Sequence, residues 1–82
     1  MKKIIGIQVG NRENEALKVQ ELLTKNGCII KTRLGLHESA DNQCATSGLI
    51  ILEFLPDKDA EIAVLEKDLS ALNSVIVKKM EF

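Results

Sequence analysis

Apolar residues follow two rhythms along this chain, and the switches between them mark six elements. Residues 3–9 place Ile4, Ile5, Ile7 and Val9 on both sides of a short run, which predicts a strand covered on both faces. Gly10-Asn11 breaks that run, and Asn11 suits a helix N-cap because its side-chain oxygen can accept a free amide hydrogen of the first turn. Over residues 12–25 the rhythm changes: Ala16, Val19, Leu22 and Leu23 fall in one helical stripe, with Lys18, Gln20 and Glu21 outside it. Glu13 and Glu15 sit where the positive end of the helix dipole favours acids. Asn26-Gly27 reads as the stop, with Gly27 in the left-handed conformation.

A second strand is expected over residues 28–36, with Ile30, Thr32, Leu34 and Leu36 on one face and Ile29, Lys31 and Arg33 on the other. Charges on a strand face are a device of sheet edges. Residues 37–46 are polar and read as a long hairpin loop. Residues 48–55 carry Leu49, Ile50, Ile51, Leu52 and Phe54 without interruption, as a central strand would. Pro56-Asp57 ends that strand, and Asp57 or Asp59 caps a second helix with the stripe Ile62, Leu65, Leu69 and Leu72. Asn73-Ser74 turns into a last strand over residues 75–80, apolar at Val75, Ile76 and Val77.

The order β-α-β-β-α-β specifies an α+β fold, the ferredoxin-like βαββαβ sandwich. Right-handed crossovers place the first and third strands in the middle, giving an antiparallel sheet of order 4-1-3-2 with both helices on one face. The opposite face keeps isoleucines and valines, so a second copy of the chain is the expected cover. Gly6 and Gly35, inside strands, suggest a bulge or a close backbone approach.

Length and charge narrow the function. The 82 residues make one domain, 1–82, with 45% hydrophobic residues but only Phe54 and Phe82 as aromatics, so the core is aliphatic. Eleven basic against twelve acidic side chains leave a net charge of −1, without the basic excess that phosphate binding requires. No nucleic-acid partner is expected. No segment approaches the ~20 apolar residues of a membrane span, and no secretory leader is visible at the start, so a cytoplasmic location is expected.

Candidate chemistry is sparse. His37, Glu38, Asp41 and Cys44 cluster in sequence, but one His and one Cys are weak candidates for a metal, and Cys28 lies too far along its strand to join them. No metal or other cofactor is expected. Cys44 and His37 lack a recognisable orienting group or oxyanion hole, the serines lack a nucleophile elbow, and the glycines form no phosphate-binding fingerprint, so no enzyme is expected. If a ligand site exists it is expected at Gly10, Asn11 and Arg12, since Gly10 admits close approach and the free amides of the following helix favour an anion; the plainer alternative is that Gly10-Asn11 is simply a capped turn. Arg33 is a further candidate for an anionic group.

Val9-Gly10-Asn11-Arg12-Glu13, Arg33-Leu34-Gly35-Leu36 and Val75-Ile76-Val77-Lys78-Lys79-Met80 resemble the iron-only hydrogenase system regulator family, which has an ACT-like ferredoxin fold. The likeness spans almost the whole chain. It implies a homodimer or higher oligomer acting as a regulatory, small-molecule-sensing domain, with effectors held around the first strand–helix turn at a subunit interface. Related nickel-responsive regulators bind metal through several histidines and a cysteine, and one histidine here does not supply such a set. The first strand starts at once, so any transcriptional role would take its DNA contact from another protein. The alternative is an oligomeric interaction module with no ligand.

Overall fold

In a computed structural model of the chain, strand β1 (Lys3–Val9) pairs antiparallel on one side with β3 (Gln43–Phe54) and on the other with β4 (Val75–Glu81). Strand β2 (Ile30–Ala40) pairs antiparallel with β3, giving the order β2-β3-β1-β4. This is the expected 4-1-3-2 order read from the other edge. Helix α1 (Glu13–Lys25) and helix α2 (Asp59–Ser70) connect β1 to β2 and β3 to β4. The structure describes residues 2–10, 13–40 and 43–82, with side chains at 13, 37–40 and 43–47 excepted.

The register explains the core. Ile5, Ile7 and Val9 alternate to one face, where Leu52, Ile50 and Val75 stand beside them, and all are buried. Val19 and Leu23 from α1 and Ile62, Leu65 and Leu69 from α2 close the layer from above. Ala16, Leu22 and Leu72 pack at its margin. Both helical stripes are therefore the predicted ones.

Local details differ from the sequence reading at four places. β2 and β3 continue as a ribbon past Gly48, the last partner of β1, down to Ala40↔Gln43, where a loop was expected. A ribbon is held by backbone bonds, so polar residues give no hint of it. Helix α1 stops without a left-handed glycine: the Asn26 amide and side chain both donate to the Leu22 carbonyl, at 3.1 and 2.8 Å, and a 3-10 turn Gly27–Ile29 follows. At α2 neither aspartate caps. Asp57 takes the left-handed turn position with φ 63°, Lys58 is the N-cap residue, and Asp59 opens the helix as a dipole-favoured acid. The irregular pairings fall at Ile30/Thr32 and His37/Ser39, not at Gly6 or Gly35, and the close backbone approaches are at Gly10 and Gly48. The Asn11 cap lies outside the described residues.

Candidate functional site

Antiparallel pairing brings the end of β1 beside the start of β4, so the β1–α1 turn meets the α2–β4 turn. The Gly10 amide donates to the Ser74 carbonyl at 3.0 Å. A Cβ on Gly10 would stand 2.9 Å from that oxygen and 3.0 Å from the Ser74 Cβ, so the close approach that glycine permits is taken up by Ser74. From the first turn of α1, the Glu15 carboxylate accepts the Asn73 and Ser74 amides, each at 2.7 Å, and the Ser74 hydroxyl. Charge-assisted bonds of this kind are about twice as strong as neutral ones. Glu15 was legible only as a dipole-favoured acid, because no pattern joins residues 59 positions apart. Asn11 and Arg12 lie outside the described residues.

The register separates Arg33 from this turn. Arg33 stands beside Leu52 and in line with Ile5, four residues before Val9 and two strands away. That is about 13 Å along the sheet and about 10 Å across it. Its guanidinium donates to the Gln20 side chain on α1, tying the edge strand to the helix. His37 pairs with Gly48, which pairs with Val9, so His37 lies level with the turn. Cys44 pairs with Ser39 farther along the ribbon. The side chains of His37 and Cys44 lie outside the described residues. Among the described residues no three His, Cys, Asp or Glu side chains could hold a metal, and Cys28 is exposed and unbonded.

Ion pairs among the described residues gather at the opposite end of the sheet, where Lys3 also pairs with Asp59 at 3.2 Å. Glu53 accepts from Thr32 at 3.1 Å and pairs with Lys2 at 3.3 Å and Lys31 at 3.9 Å. The Thr32 hydroxyl first, then Lys2, hold its carboxyl below the usual range. Lys79 pairs with Glu81 at 3.3 Å and Glu66 at 3.6 Å, and these carboxylates raise its ammonium above the usual lysine range. Between the helices an open cleft of about 410 Å³ is lined by Lys18, Glu21, Leu22, Lys25, Asp68 and Leu72, with charges of both signs. No helix among the described residues is long and apolar enough to cross a membrane.

No protein-family model matches the chain, and no curated protein matches it. Among solved structures it is similar to the uncharacterized protein TM1266 of Thermotoga maritima, at 28% identity and a TM-score of 0.79, covering 96% of this chain and 92% of that one. It is also similar to a formyltetrahydrofolate deformylase of Pseudomonas putida KT2440, at 16% identity and a TM-score of 0.58. That match covers 99% of this chain but only 29% of the deformylase. Both likenesses fit the ferredoxin-like fold.

Proposed function

We propose that the chain is a small regulatory domain, of the hydrogenase-system regulator type, that responds to a small anionic effector at the β1–α1 turn. The observation that carries this reading is the fixed geometry of that turn. Gly10 is bonded to Ser74, and Glu15 holds the facing turn at three donors. An effector on the first amides of α1 would act where both crossover connections meet, so binding would bias both helices at once. Asn11 and Arg12 follow Gly10 in sequence and supply an amide and a cation for recognition. A DNA contact, where regulation needs one, would come from another protein, because the chain carries no basic excess.

A thermal-shift screen with amino acids and nucleotides tests the reading, with divalent metals as a cation control. A ligand at 100 times its Kd stabilises the fold by about 2.7 kcal/mol. Asn11→Ala and Arg12→Ala should abolish the shift; a shift that survives both places the site elsewhere. A second reading, an oligomeric interaction module with no ligand, is favoured by the exposed Leu34, Leu36, Ile76 and Met80. It expects no shift from any small molecule.

A further inference from the structure

Gly27 follows the end of α1, yet the fold does not use what glycine offers there. No glycine among the described residues takes a positive φ, so Gly27 is not a left-handed cap. A Cβ at position 27 would meet nothing within 4 Å, so no close approach requires glycine either. What glycine leaves at this point is an unshielded backbone amide. Gly27 is exposed, and its amide has no acceptor among the described residues. The residue before it is Asn26, whose side chain ends in a carboxamide.

An asparagine followed by such an amide is able to react with its own backbone. The Gly27 nitrogen gives up its proton to solvent and attacks Asn26 Cγ. The N–Cγ bond forms, the Cγ–Nδ2 bond breaks, and Nδ2 leaves with a proton as ammonia. Water then opens the five-membered succinimide at either of its two carbonyls, leaving aspartate or isoaspartate at position 26. One water is consumed and one ammonia released, with no oxidant or reductant.

The other asparagines, Asn11, Asn14, Asn42 and Asn73, each precede a residue whose side chain crowds the attacking amide. After Asn73 that amide is also engaged, because Ser74 donates it to Glu15 at 2.7 Å. Asn26 has a restraint of a different kind. Its Nδ2 donates to the Leu22 carbonyl at 2.8 Å, which ties the side chain to the preceding turn. Attack on Cγ therefore waits for that bond to open, as the last turn of a helix does when it frays.

We propose that Asn26-Gly27 is a self-modification site, at which deamidation is held in check by the bond from Asn26 to Leu22. Modification removes its own restraint. A carboxylate cannot donate to the Leu22 carbonyl, and its charge lies at the negative end of the α1 dipole. Isoaspartate also lengthens the backbone just before Ile29. That residue is buried, takes the Asn26 carbonyl at 3.1 Å and accepts the Leu55 amide at 2.9 Å. Modification thus loosens the link between α1 and the edge strand β2. The proposal is independent of any effector at the β1–α1 turn.

The full chain, held at mildly alkaline pH with and without urea, tests it. Peptide mapping by mass spectrometry locates the amide-to-acid change, and enzymatic methylation of isoaspartyl carboxyls counts one of the two products. The change should appear at Asn26 ahead of every other asparagine, and several-fold faster in urea than in the folded chain. Gly27→Ala, which the open space around position 27 accommodates, should slow it several-fold in both states. Asn26→Asp, which reproduces one product, should melt at a lower temperature than wild type. An Asn26 that stays intact in the folded chain, prior reaction at Asn73, a folded rate equal to that in urea, or a rate unmoved by Gly27→Ala would overturn the proposal.

Discussion

The Glu15 carboxylate accepts the Ser74 amide at 2.7 Å and the Ser74 hydroxyl as well, joining the first turn of α1 to the turn that leads into β4. One acid thus links the two halves of the βαββαβ fold. Glu15→Ala should cost about 2–3 kcal/mol, because two turn amides lose a charged acceptor. Ser74→Ala, which removes only the hydroxyl bond, should cost about 1 kcal/mol. Urea unfolding of the three chains measures both. Equal losses would show that the amide bonds to Glu15 contribute little.

Gly10 and Gly35 should respond oppositely to alanine. At Gly10 the new Cβ would lie 2.9 Å from the Ser74 carbonyl oxygen, a backbone atom that cannot swing away. At Gly35 nothing lies within 4 Å. Gly10→Ala should lose about 1–3 kcal/mol through overpacking, and Gly35→Ala should be neutral or gain up to ~1 kcal/mol. Thermal melts of both variants check the contrast.

The core and the helix surface make a similar pair within α2. Leu65 is fully buried and Val64 is 59% exposed. Leu65→Ala should cost about 2–5 kcal/mol, and Val64→Ala less than ~0.5 kcal/mol. Chemical denaturation gives both values.

Glu53 should titrate below the ordinary glutamate range, and the cause is specific. The Thr32 hydroxyl is its largest stabilising contact. A lowered carboxyl stabilises the fold above its unfolded pKa, and that contribution disappears as pH falls through the lower folded pKa. Thr32→Val should move the Glu53 titration upward in a carbon-detected NMR experiment and flatten the acid limb of stability. Lys79 has the opposite sign. Its raised ammonium contributes fully below the unfolded lysine pKa and is lost as pH rises through the higher folded value.

Element order, strand order and both helical stripes were readable because they depend on burial. Val19 with Leu23 and Leu65 with Leu69 recur at helical spacing, and burial enforces that spacing. The ribbon beyond Gly48 escaped notice because backbone pairing leaves no apolar signature in residues 37–47. The end of α1 was read through its glycine, whereas the Asn26 side chain bonded to the Leu22 carbonyl carries it. At the site, Gly10 was read as admitting close approach of a ligand, and the group that approaches it in the fold is Ser74. Its neighbour, Ser74, and the clamp from Glu15 depend on contacts between distant positions and have no local pattern. Arg33, a separate candidate for an anionic group, is placed by the register four residues along the sheet and two strands away from the turn.

The central claim, that an effector binds at the β1–α1 turn, is tested most directly by amide NMR. The labelled chain is titrated with whichever amino acid or nucleotide raises its melting temperature, or with each class at millimolar concentration where neither does. The account predicts saturable shifts centred on the amides of Gly10, Glu15, Asn73 and Ser74. Shifts centred on the helix-free sheet face, or none with either class, would contradict it.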